Sequence, residues 1–482
     1  MKRLCIACFA CLLITDCAPS PETLSVDELP PIYPDYAGVT IPCNIAPLNF
    51  LLRNHHGEVE VRIKGALSDI LIKGGHKVSF PLRKWRALLE AEQGRTVSIT
   101  VTALTGDRRI RYAPFLWHIT TDRIDPYLSY RLIEPGYEVW NAIQLVERHI
   151  ESFDERVIAD NNLNKGVCMN CHTYGNQDPN LSFFHLRGEN GGTILNRGGK
   201  LRKLTVRAEG MVSPIVYGGF HPSGRYGVFS TNVIVPAFHT GRGEQMEVYD
   251  AKSDLVVVDF DTDRAIAFPE DTLAEKPLRS FPAFSAEGNA VYYCEAPATS
   301  LPDSIRSLRY SICKIAFDPS SGTFGREADT LFSASVEGLS ASHPKSSPDG
   351  RYLMYTVAAY GAFPIWHNEA DLRLMDLQSG RTDTLANVNA YGTDSYHSWD
   401  SGSRWFVFSS RRDDGLYTKP YFSYIDSAGI ARKPFLLPQR DPSFYDYTLK
   451  SFNIPELSKG KLPFGAKDVG KEATVMKLNV PE

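Results

Sequence analysis

The sequence predicts an all-β fold, an N-terminal β-sandwich followed by a β-propeller of about six blades, on three observations. Short apolar runs alternate with polar residues between Tyr36 and Asp107. Four later segments repeat one tight turn that leads into an aromatic strand. Between them recur hairpin patterns such as LVVVDFDTDRAIAF and LRLMDLQSGRTDTL. With 482 residues, 43% apolar and 22% charged, the chain can fill more than one core. The net charge of -4 and the lack of a long Lys and Arg run argue against nucleic acid as a partner.

At the N-terminus, Lys2 and Arg3 precede an apolar run from Leu4 to Ile14, too short to span a bilayer but suited to an export signal. Residues 1–17 read as that signal. The stretch Ile14-Thr15-Asp16-Cys17 resembles a bacterial lipoprotein cleavage site, although Asp16 stands where that pattern wants a small residue. The resemblance implies lipidation of Cys17 and a place on the periplasmic side of the envelope, anchored to the outer membrane by that lipid alone. An ordinary signal peptide cut nearby is the alternative, and Cys11 a weaker lipidation site. Residues 18–35, rich in proline, read as an extended tether.

The sandwich is expected over residues 36–107, where VEVRIKG, KVSFPL and TVSITVTAL are broken by HHGE, KGGHK and EQGR. His55, His56 and His76 fall at these turns and read as solvated. The propeller is expected over residues 108–440, before a C-terminal tail of 441–482. Its repeats are GGFHPSGRYGVFS, PAFSAEGNAVYYC, PKSSPDGRYLMYT and HSWDSGSRWFVFS, with Gly224, Gly288, Gly350 and Ser403 at equivalent positions. Glycine supplies positive φ in such a turn and Asp or Ser caps it, so each unit folds as a sheet of about four strands. One such sheet cannot bury both faces, so several stack around an axis. Two weaker units lie near 116–133 and 183–204.

The SPDGRY segment and its relatives resemble the repeats of TolB-like β-propellers of the Gram-negative envelope, over roughly residues 110 to 440. That resemblance implies a ring of sheets with a central funnel used for binding. It says little about activity, because the architecture serves enzymes, scaffolds and lectin-like modules. The peptidase relatives need an α/β-hydrolase domain, and no GxSxG occurs here.

The segment VCMNCHTYG contains C-x-x-C-H, the c-type haem attachment pattern. Cys168 and Cys171 would bond the two vinyl groups on one porphyrin edge, and His172 would ligate the iron. A chain of this composition contains the pattern by accident about once in a few hundred cases. A local disulfide or redox pair and a zinc site remain open as alternatives. ERHIESFDERVIADNNLNKG has helical character, so the motif is expected in a loop inserted at about 160–180. Candidates for a sixth iron ligand are His185, His221, His343, His367, His397 and Met211. Cys294 and Cys313 lie on expected neighbouring strands and form either a disulfide or two buried thiols, leaving Cys43 alone. Trp399, Arg411 and Arg412 read as blade core or as a funnel mouth for a glycan or peptide.

The expected function is envelope electron transfer or redox sensing through one covalent haem c, with an unknown envelope protein or redox partner. The alternative is a scaffold that binds a protein or glycan and whose CxxCH is structural. An enzyme has least support, since no nucleophile constellation stands out.

Overall fold

Alternation builds the N-terminal unit. Val59, Val61 and Ile63 of the strand Val59–Lys64 point inward while Arg62 and Lys64 face solvent, and Thr96–Thr105 buries Val97, Ile99 and Val101 in the same way. This computed structural model describes residues 22–474 apart from 106–107, 135–141, 165–167, 189–190, 205, 207, 209–210, 239–245 and 270–274. In it these strands belong to a seven-stranded sheet, which shares its core with a three-stranded sheet. A helix, Leu82–Ala91, completes the unit by burying Trp85, Leu88 and Leu89. Their i, i+3, i+4 spacing is the helical signal that the strand-like surroundings hid.

Two boundaries of the N-terminal unit differ from the sequence reading. Glu22–Ser25 pairs in parallel with Arg108–Arg111, so the stretch 18–35 is no free tether from Glu22 onward. Pairing satisfies backbone groups that an edge strand would otherwise leave open. Phe115–Ile119 pairs with Thr96–Thr105, which carries the unit past Asp107. Cys17 and the signal lie outside the described residues.

Beyond this unit the chain forms six four-stranded antiparallel sheets among the described residues, in a propeller-like arrangement. Their inner strands are Ser451–Ser458, Met169–Tyr174, Ile215–Phe220, Leu278–Phe284, Ser340–Ser346 and Asp394–Trp399. Each touches the next in that order, and the last returns to the first. We number the sheets one to six accordingly. Four of the six junctions between neighbouring sheets have an apolar core of their own. Phe183 and Leu195 of sheet two, for instance, meet Phe229 and Val256 of sheet three. The core that joins sheets five, six and one continues into the N-terminal unit through residues such as Tyr36 and Trp117. The turns behave as expected, with φ of 71°, 77° and 72° at Gly224, Gly288 and Gly350, and 58° at Ser403.

Residues 441–482 are not merely a tail. Sheet one draws only Tyr127–Ile133, Ile143–His149 and Glu155–Asp160 from its own region, and Ser451–Ser458 fills its inner position. The segment before CxxCH is mostly strand, with Ile143, Leu145, Ile158 and Ala159 buried against sheet two, and its helical part is only the 3-10 turn Asn161–Asn164. CxxCH itself is not in an inserted loop. Met169–Tyr174 is the inner strand of sheet two.

Cys294 and Cys313 are free thiols. Their strands are neighbours as expected, but Cys294 faces Ile312 and Cys313 faces Tyr293. An offset of one residue sends the two side chains to opposite faces of the sheet, one toward sheet five and one toward sheet three. Denatured, unreduced protein should therefore alkylate at both positions, and a crosslinked peptide pair in the mass spectrum would refute this register. A chain ending at Lys450 should lose its cooperative melt by circular dichroism, because sheet one would lack its inner strand; an unchanged melting temperature would show that closure contributes nothing.

Candidate functional site in the central channel

The inner strands share a distortion at one level. In each, two residues stand opposite one on the neighbouring strand: Cys171-His172, Phe281-Pro282, His343-Pro344 and Tyr396-His397 are four of these bulges. The first residue of each of these four pairs adopts positive φ, 55° at Cys171, 52° at Phe281, 54° at His343 and 51° at Tyr396. Such values are uncommon for side chains of this size. Their recurrence ties the bend to the repeat, and its effect is to break the two-residue alternation where each strand lines the axis.

The bulges surround a cavity of about 190 Å³ whose wall includes Cys171, His172, Tyr217, Phe281, His343, Lys345, Tyr396, His397 and Glu456. Lys345 and Glu456 form an ion pair of 2.8 Å across sheets five and one. Glu456 also accepts from the Thr173 hydroxyl at 3.2 Å and the Tyr174 N–H at 3.3 Å.

Three histidines on this wall are uncharged at neutral pH. Burial holds His172 down to about 4 and His397 to about 3, and it places His343 well below the usual range. His397 Nε2 donates to the Met354 carbonyl at 3.0 Å, leaving Nδ1 without a partner. Glu456 and the Ser129 backbone work against that burial at His172, whose Nε2 is buried without a partner. Neither nitrogen of His343 has a partner. Its ring lies 4.0 Å from Phe281 and 4.6 Å from Tyr396. Leaving a buried polar atom unsatisfied costs about 1–3 kcal/mol, so several around one cavity mark it as a place for polar or metal-centred chemistry.

Burial pushes the Cys171 thiol up to about 11 and raises Cys168 as well, while Arg131 and Arg187 act on both in the opposite sense. Both residues are free and half-buried. They are therefore thiols rather than thiolates at neutral pH, the reverse of what a reactive redox pair needs. Among the described residues no three His, Cys, Asp or Glu side chains come together as a ligating group, so the four ligands of a structural zinc site are not assembled.

The proposed sixth ligands separate clearly. His343 and His397 share the channel with His172. His185 and Met211 line a different cavity, of about 420 Å³. His221 is a turn residue bonded to Ser223 and to the Gly288 carbonyl. His367 is clamped between Glu247 at 2.9 Å and Glu369 at 3.2 Å. Trp399, Arg411 and Arg412 do not form an exposed mouth. Trp399 donates to the Lys345 carbonyl, Arg411 stacks on Trp366 and Arg412 pairs with Asp394, all within the fold. The sequence reading missed Ser129, Arg131, Lys345 and Glu456. For Glu456 a signal existed: NIPEL repeats the proline step of SFPAF and SHPKS.

No family model and no curated protein matches the chain. Among solved structures, native Bacillus subtilis arabinanase Arb43A is similar at 11% identity over 46% of this chain and 80% of that chain, with a TM-score of 0.26.

Burial opposes charge on His367, but its hydrogen bonds to Glu247 and Glu369 outweigh burial and hold it up at about 9. A raised histidine contributes stability that is fully present below its unfolded value of about 6.5 and is lost as pH rises through 9. Melting temperature should accordingly fall across that interval, and His367→Gln should flatten the slope. Parallel profiles for the two proteins would remove this pair from the account.

Proposed function

We propose that the chain is a six-bladed, TolB-like propeller of the bacterial envelope, anchored through Cys17, that carries one covalent haem c for electron transfer or redox sensing. One observation carries the reading: His172, which lines the channel beside Cys171, is held uncharged by burial and keeps a buried Nε2 without a partner. A neutral imidazole with an unpartnered nitrogen is the form that ligates a metal.

The donor set fits a haem only in part: Cys171 and His172 line the channel, whereas Cys168 packs against the core between sheets one and two. Two thiols and an imidazole follow one another in the motif. Arg131 and Arg187 are cations near both thiols, suited to the carboxylates that a haem carries. The room is tighter. A cavity of about 190 Å³ lies below the roughly 300–1,000 Å³ of a preformed small-molecule pocket. Tyr217, Phe281 and Tyr396 are the side chains that would have to move aside. When bound, the haem would supply one-electron chemistry. The chain's own part would be to hold it through Cys168 and Cys171 and to offer His172 to the iron.

A second reading also has an observation behind it. Cys171-His172 occupies the bulge that Phe281-Pro282 and His343-Pro344 occupy in other sheets, so the motif can serve ring closure alone. The protein would then be an interaction scaffold. A reduced pyridine haemochrome spectrum of protein from a haem-attaching host decides between them. The haem reading expects a c-type band that disappears in Cys168→Ala/Cys171→Ala; folded wild-type protein without the band leaves the scaffold.

A further inference from the structure

We propose that the channel binds one neutral sugar ring, with His343 and His397 taking its hydroxyls. The inference rests on the scaffold reading, in which Cys171-His172 only closes the ring of sheets and leaves the channel free.

Room sets the size of the ligand. A cavity of about 150 Å³ admits a benzene ring, and the channel offers about 190 Å³. It takes one six-membered ring and little more. Its wall joins the rings of Tyr217, Phe281 and Tyr396 to a few polar side chains, the mixture by which small-molecule sites hold and orient a ligand.

Hydrogen bonding sets the chemistry. His397 Nε2 gives its proton to the Met354 carbonyl, so Nδ1 of this uncharged ring keeps a bare lone pair and can only accept. His343 leaves both nitrogens without a partner among the described residues, one to donate and one to accept, although only 9% of it is exposed. The two lie on neighbouring inner strands and line the same cavity. A hydroxyl both gives and takes a proton, so a molecule with several hydroxyls satisfies all three nitrogens. A sugar carries hydroxyls on its rim and C–H groups on its faces. Those faces suit the rings of Phe281 and Tyr396, whose centres lie 4.0 Å and 4.6 Å from that of His343.

Charge argues against the other classes. Lys345 and Glu456 compensate each other at 2.8 Å. An anion would meet Glu456 and the lone pair of His397, and an ammonium group would meet Lys345. A metal ion is not served, because among the described residues no three His, Cys, Asp or Glu side chains come together as a ligating group.

The test uses the full chain from a haem-attaching host. Folded protein without a haemochrome is titrated with D-glucose, D-galactose and N-acetylglucosamine by calorimetry and applied to an array of neutral glycans. A sugar should bind saturably and slow the alkylation of Cys171 in the channel, while that of Cys43, in the core of the N-terminal unit, is unchanged. His343→Phe keeps an aromatic ring but removes both nitrogens, and should weaken binding roughly tenfold or more. His343→Gln keeps a donor and an acceptor and should bind more tightly than His343→Phe; the reverse order would overturn the inference even where both variants are less stable than wild type. No binding on the array, equal binding by wild type and His343→Phe, or protection of Cys171 by sodium phosphate in place of a sugar would also overturn it and leave the scaffold standing. A c-type haemochrome in the wild type would instead remove the scaffold reading and the inference with it.

Discussion

The molecule depends on closure of its ring. A four-stranded sheet with two apolar faces has no stable life alone, and here each face is covered by a neighbour, with a separate core at four junctions and one shared core at the other two. An open row would leave two such faces in water. The chain avoids this by returning Ser451–Ser458 to the inner edge of sheet one, beside Tyr127–Ile133. Chain ends far apart in sequence therefore share one sheet, and Glu456 reaches the channel only because of that return.

Closure also places the N-terminal unit. It docks where sheets five, six and one meet, through an unbroken apolar core and polar ties such as Trp405 Nε1 to the Asp122 carbonyl and Tyr36 to the Leu436 carbonyl. The junction that receives the final strand is thus also the one braced from outside. Two independent constraints hold the seam of the ring.

Inside the ring, burial is the dominant electrostatic influence. It keeps the channel histidines neutral and the motif thiols protonated, while an ion pair of the wall, Lys345 with Glu456, is held by further hydrogen bonds. His367 shows the contrast. Equally buried, it stays charged because two carboxylates meet it directly. The same residue type thus takes opposite states within one fold according to its immediate partners.

Local signals were enough to read the all-β class, the repeated turns at Gly224, Gly288 and Gly350, and the motif residues Cys168, Cys171 and His172, because alternation, positive-φ glycines and short spacings are properties of neighbouring residues. Alternation misled where apolar strands were broken by charge, as in 143–160, and where a short helix lay among strands, as at Leu82–Ala91. Which histidines face one another, which cysteines share a face, and that Glu456 belongs to the channel depended on strand register and on the order of sheets around the axis. Those are set by contacts between residues hundreds of positions apart, and no local pattern encodes them.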